Sequence, residues 1–420
     1  MSALRIANSQ PSASAIACAL TLFAMAIGGI DGASAEPKPL VLLVSVDGFR
    51  ADYLVKSGTP TLNRLAETGA RATGLVPIFP SLTFPSHYSM VTGRRPDAHG
   101  VVHNQMFDPE RPGRPFAPSL RTEVGDAFWW KGAKPIWVTA AQQGKTAATL
   151  FWPGSEAEID GIRPGKWLPY QPNMSSMERV HLLLEWLKPE DRPDFATLYF
   201  SEVDVAGHIF GPESREVEAA IARVDLALKV LLTGLQLLGL DDATTLIVVS
   251  DHGMAEVSLE RQINVSQHLA PFETAKIVWS GALAGFIASE DEAPALTAAL
   301  DAHAHLRCWL KEKVPAEYGF GTNKRIPPVL CLADLGWQVT TAMTFGRLRG
   351  MHGYDPREPS MWGLLIAHGL RIRQTELGLV NGLDVYPLLC ELIGLKPEPN
   401  EGGMSAMSAL KSAGADGALR

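Results

Sequence analysis

Four short stretches of this chain place carboxylate or imidazole groups directly beside an apolar run. Asp47 closes "LVLLVSVD", and Asp204 and His208 follow "FATLYF" within "SEVDVAGH". Asp251 and His252 end "TTLIVVSDH", and His352 sits between glycines in "GMHGYDP", ahead of "GLLIAHG". Asp and His offer oxygen and nitrogen donors suited to zinc or a similar divalent ion. Six such donors are too many for one four-coordinate site and enough for two. Taken singly, each has an ordinary explanation. Asp47-Gly48 is a common turn dipeptide, Asp204 and His208 form an i,i+4 helical pair, "SDHG" is a helix cap after a strand, and His352 is a loop histidine. Their joint occurrence at strand ends is what points to chemistry. Thr83, in "PSLTFPSHYSM", adds a hydroxyl at a helix start. Beside a metal ion such a hydroxyl can lose its proton near neutral pH and attack, with helix N-terminal N–H groups ready for an anion. The alternative is a simple helix cap.

These residues need elements to position them. The run at 40–47 is continuous, apolar and β-branched, as in a strand buried on both faces of a parallel sheet. Further strands are expected at 135–140, 195–200, 244–251 and 363–369, and helices at 59–70, 175–187 and 214–239. Alternation of this kind predicts an α/β layered domain with a mostly parallel sheet. In an open α/β sheet, ligands bind beyond the carboxyl ends of the strands, so all four clusters are expected on one edge. Residues 268 to about 345 lack clear alternation and read as an inserted cap, and 401–420, rich in Gly, Ala and Ser, as a flexible tail.

Composition narrows the function classes. A formal net charge of -8 argues against a surface built to hold a nucleic-acid duplex and leaves room for a local metal-centred site. Residues 1–35 carry Arg5, an apolar stretch and "ASA" before Glu36, the layout of a cleaved secretory signal. Its removal leaves no stable membrane anchor and predicts a periplasmic or secreted protein. Cys308, Cys331 and Cys390 then remain, and a Cys308–Cys331 bridge is expected between the nearest pair.

With these residues assembled, the chain resembles the nucleotide pyrophosphatase/phosphodiesterase family of the alkaline phosphatase superfamily, in a compact bacterial form, over about residues 38–400. The matching stretches are "VDGFR", "TFPSHYSMVTGRRPDAHGVVHN", "DVAGH", "SDHGM", "RIPPVLCLADLGW" and "HGYDP". The resemblance implies an alkaline-phosphatase-like catalytic domain over 36–400 and two Zn2+ per chain. Asp47, Thr83, Asp251 and His252 would hold one ion, and Asp204, His208 and His352 the other. Thr83 would also be the nucleophile of a two-step in-line transfer through a phospho-threonine, with Asn104 on a phosphate oxygen. Phe84, Tyr199 and Tyr170 would form aromatic walls for a nucleobase, so the implied partners are nucleotides or other small phosphodiesters. "SEVD" and "DVAGH" depart from the family's usual Glu-Glu-Pro run and "DSSGH" while keeping the ligand positions. Competing readings are a monoesterase or phosphonate hydrolase, for which Arg50, Arg94 and Arg95 lie nearby in sequence, a choline-lipid phosphodiesterase, and a non-enzymatic metal-binding module.

Overall fold

The computed structural model describes residues 38–56, 58–188, 192–341, 348–404 and 408–410. The expected signal at 1–35 and most of the 401–420 tail lie outside the described residues. In chain order the main elements are β1 (Leu40–Val46), α1 (Pro60–Thr68), β2 (Ala70–Val76), α2 (Thr83–Thr92), α3 (Ile136–Gln142), β3 (Ala147–Leu150), β4 (Lys166–Leu168), α4 (Ser176–Trp186), β5 (Phe195–Phe200), α5 (Glu202–Phe210), α6 (Arg215–Leu237) and β6 (Thr244–Val249). They continue with β7 (Lys276–Trp279), β8 (Leu283–Ile287), α7 (Ala293–Asp301), β9 (Leu306–Leu310), β10 (Val329–Ala333), β11 (Leu365–His368), β12 (Thr375–Asn381) and α8 (Val385–Ile393).

Eight strands form one sheet in the order β12-β2-β11-β6-β1-β5-β3-β4, and only β11 runs against the others. This is the mostly parallel, helix-flanked α/β sheet expected from the alternation. Every residue of β1 is buried, as its continuous apolar run requires. One apolar cluster packs on each face of the sheet, one with α2, α3 and α8 and the other with α1, α4, α5 and α6.

The register explains why the sheet gathers the site. Val46 lies beside Phe200, and Ser45 beside Val249. The segments holding Asp47, Asp251 and the start of α5 therefore leave the sheet at one level. β11 is antiparallel to β6, with Leu365 opposite Val249. Its beginning, and the His352 segment before it, thus sit on the edge where the parallel strands end. β2 runs in the direction of β6, so the chain also reaches Thr83 from that edge.

A second, four-stranded sheet, β9-β10-β8-β7, packs with α7 around its own apolar cluster. Cys308 and Cys331 are cross-strand partners in it and form a disulfide, while Cys390 is a buried free thiol. Within the tail, Glu401 pairs with Arg94 and Arg95, and Leu410 is buried.

One expected strand is a helix instead. Residues 135–140 begin helix α3 instead of forming a strand. Ile136 to Ala140 are all buried, so the run has no periodicity that separates strand from helix. The Ala140-Ala141-Gln142 that follows favours helix.

Candidate active site

The six candidate ligands come together as two groups of three, Asp47 with Asp251 and His252, and Asp204 with His208 and His352. Within each group the donor atoms lie within 4.8 Å of one another. Asp204 and His208 share one face of α5 by their i,i+4 spacing. The groups adjoin: the His252 and His352 rings, one from each, stack with centroids 3.5 Å apart. Gly48 permits this closeness. Its φ is +69°, and a Cβ there would lie 2.8 Å from Asp204 Cα.

All three imidazoles are oriented alike. Nδ1 of His208, His252 and His352 donates to the carbonyl of Gly350, Gly253 and Ser81 respectively, each at 2.9 Å. Nε2 therefore points inward, the arrangement that metal-binding histidines adopt. What it faces is carboxylate: His252 Nε2 is 3.1 Å from Asp251 and 3.4 Å from Asp47, and His208 Nε2 is 3.4 Å from Asp204. Among the described residues, Asp47 Oδ1, Asp204 Oδ1 and Asp251 Oδ2 are buried with no hydrogen-bond partner. A cation placed between them would satisfy both the inward Nε2 atoms and the orphaned anionic oxygens, so these residues fit divalent ions.

The same crowding shifts the protonation of these groups strongly. Burial, reinforced by the charges of Asp251 and Asp204, pushes the Asp47 carboxyl well up. Burial acts in the same direction on Asp251, but His252 and His87 hold it well below the usual carboxylate range. Burial opposes charge on His252, and Asp251 overcomes it and raises that ring. Burial together with His252 and His208 pushes His352 well down, which keeps it neutral as a ligand must be.

Thr83 is the first residue of α2. The N-cap is Leu82, with no side-chain cap bond, so the Thr83 hydroxyl is not spent on capping. Its Oγ1 instead lies 3.2 Å from His252 Nε2. Asn104 is half-buried, and its Oδ1 accepts from the Phe84 N–H at 2.9 Å. This orientation turns its amide N–H groups away from Phe84. Phe84 is half-buried against Phe116 and Trp130. Tyr170 is half-buried too, and its hydroxyl lies 3.1 Å from Ser201 Oγ, just beyond the end of β5. Tyr199 is only 8% exposed, and its hydroxyl donates to Asp47 Oδ2. That bond orients a candidate ligand and leaves little ring face open to a base.

His87 escaped the sequence reading although it lies four residues after Thr83 on the same helix. Its Nδ1 donates to the Thr83 carbonyl at 2.8 Å and sits 3.2 Å from Asp251, while its Nε2 meets Ser45 Oγ at 2.7 Å. The Arg residues weighed for a second phosphate charge are occupied: Arg50 by Asp52 and Glu213, Arg94 and Arg95 by Glu401.

Comparison with known proteins identifies the family and the fold. The family model for type I phosphodiesterase/nucleotide pyrophosphatase matches residues 41–355. The ectonucleotide pyrophosphatase/phosphodiesterase family member 1 of Mus musculus is 36% identical over 89% of this chain, which spans only 42% of that protein. The bis(5'-adenosyl)-triphosphatase enpp4 of Mus musculus is 34% identical over 93% of this chain and 86% of its own length. Among solved structures, murine ectonucleotide pyrophosphatase/phosphodiesterase 5, as an inactive variant in complex with AMP, superposes with a TM-score of 0.85 at 32% identity. That match covers 89% of this chain and 100% of the other.

Proposed function

Since the chain belongs to the type I phosphodiesterase/nucleotide pyrophosphatase family, we propose that it is a metal-dependent hydrolase of nucleotide phosphodiester or pyrophosphate bonds working through a Thr83-linked intermediate. The observation that carries this reading is the pairing of two three-donor groups through the stacked His252 and His352, with the Thr83 hydroxyl against one of them. In this reading Asp47, Thr83, Asp251 and His252 hold one Zn2+, and Asp204, His208 and His352 hold a second. When bound, two such ions lower the pKa of a hydroxyl or water and neutralise charge on the attacking and departing oxygens.

The protein's own groups do the rest. Thr83 Oγ1 attacks phosphorus in line, the P–O bond to the leaving group breaks, and the esterified phosphoryl group is left on Thr83. Water then cleaves the Oγ1–P bond, restores the threonine and releases the monoester. Asn104, whose Oδ1 is held by the Phe84 N–H, donates its amide N–H groups to a non-bridging oxygen. His87 fixes the Thr83 carbonyl and Asp251 against each other, and Tyr199 orients Asp47. Phe84 and Tyr170 are the aromatic faces for a base. AMP in the murine relative's complex supports a nucleotide at such a site.

A diester carries one negative charge, and the occupied state of Arg50, Arg94 and Arg95 favours it over a monoester. The catalytic unit is assigned to 36–400, with about 268–345 inserted as a cap; Trp279 of β7 stacks on His103, next to Asn104. The disulfide supports an oxidising compartment, periplasmic or extracellular. Among the described residues no helix is long and apolar enough to cross a membrane. The test is kcat/KM for a nucleotide diester and for a monoester with the same leaving group, before and after chelation. A preference for the diester that chelation abolishes is expected, and a preference for the monoester would overturn the assignment.

A further inference from the structure

Beside the site lies a buried guanidinium that the chemistry above does not use. Arg179, in the first turn of α4, is 2% exposed, yet among the described residues no carboxylate pairs with it. Its Nε donates to the Met174 carbonyl at 2.9 Å and its Nη1 to the Tyr199 carbonyl at 2.8 Å. A buried charge without a counterion is costly unless its surroundings are arranged for it. Here the arrangement is aromatic: the guanidinium carbon is 5.1 Å from the Phe151 ring centre and 5.7 Å from that of Tyr170. The two rings meet edge to face at 5.4 Å. Phe151 itself has φ +68°, a conformation that bulky residues rarely adopt. Such strain persists where neighbouring contacts over-determine it, and it gathers at functional sites. Phe151 directly follows β3, at the sheet edge where the catalytic groups collect. Tyr170 is the half-buried member of the trio, tied to Ser201 through its hydroxyl.

We propose that Arg179 and Phe151 form a clamp that fixes Tyr170 as a rigid wall of the substrate pocket and thereby set selectivity for diesters that carry a nucleoside. The clamp acts by position. A ring held in place before binding loses no rotamer freedom when a base stacks on it, and a cation behind the ring draws on its opposite face. Arg179 and Phe151 touch no reacting atom and are positioning residues. The inference rests on the diesterase reading above, with Tyr170 as one aromatic face.

The test compares two esters with the same leaving group, the 4-nitrophenyl ester of a nucleoside 5′-monophosphate and methyl 4-nitrophenyl phosphate, and adds calorimetric affinity for AMP. Arg179→Met keeps most of the side-chain length and removes the charge. It should raise KM for the nucleoside ester and weaken AMP roughly tenfold each, with little change in kcat. The methyl ester should keep kcat/KM within about twofold. In a Tyr170→Ala background the same substitution should add nothing, because its target is gone. Equal losses on both esters, or an unchanged penalty without Tyr170, would make Arg179 a core residue and overturn the clamp. If Arg179→Met does not fold, Phe151→Leu with and without Tyr170→Ala yields the same decision. If the wild type cleaves neither ester, the diesterase reading fails, and the AMP cycle still decides the clamp.

Discussion

The two ligand groups have the same donor chemistry and different surroundings. Asp47, Asp251 and His252 are all buried, whereas Asp204 and His208 are partly exposed and only His352 of their group is buried. The buried group hangs from the ends of β1 and β6 at the centre of the sheet, and its outlet is the Thr83 hydroxyl. The open group is carried by α5 and by the segment leading to β11. A buried set braced by Tyr199 and His87 suits an ion that activates a fixed nucleophile. A set open to water suits the side where a leaving group departs and water enters. One site thus divides its labour by depth.

The largest expected effect comes from removing the nucleophile alone. Thr83→Ala should lower kcat by roughly three orders of magnitude or more, while metal content stays near that of the wild type because six other donors remain. Thr83→Ser should retain part of the activity. Wild-type turnover in Thr83→Ala would remove the reason for calling the buried group the nucleophile's side.

Next come substitutions that separate the groups. Asp251→Ala and His352→Ala should each lose about one ion per chain by elemental analysis and at least about a hundredfold in kcat/KM. Their thermal behaviour should differ, with Asp251→Ala lowering Tm more, since it strips a wholly buried site whose ion stabilises the native state. In the wild type a chelator should remove the ions in two phases, the faster from the open group. A single phase would show that depth does not distinguish them.

A smaller effect tests the bracing. Tyr199→Phe removes only the hydroxyl that donates to Asp47. It should weaken one ion about tenfold or more without touching the other. If nucleotide KM changes instead and metal affinity does not, Tyr199 is a base wall after all.

The donors were legible in the sequence because each sits where a strand ends, and a parallel sheet brings such ends to one edge whatever joins them. β2 and β12 were not, since "ARATGLV" and "TELGLVN" are too polar and glycine-bearing to stand out. α3 was misread because burial on all sides erases periodicity. His87, Arg179 and the role of Tyr199 depend on which side chains meet across the fold, and no local pattern encodes that.

The smallest effect lies away from both groups and calibrates them. Buried Asp194 accepts from Thr146 and pairs with Lys38 and Lys145. Burial would raise its carboxyl, but Lys38 and Thr146 hold it below the ordinary value. A depressed folded pKa gives stability that is present above the unfolded value near about 3.9 and is lost as pH falls through the folded one. Asp194→Asn should therefore lower Tm by a few degrees at neutral pH, with the gap to wild type closing below about pH 4. A gap that persists in acid would show that the contribution is packing and not charge.

The central claim is that Thr83 takes the phosphoryl group before water does. Each in-line displacement inverts phosphorus, so a nucleotide diester with a chiral, isotopically labelled phosphorus reports how many have occurred. Hydrolysis of such a substrate should give net retention, the product of two inversions through Thr83. Net inversion would mean that water attacks directly and would contradict the account.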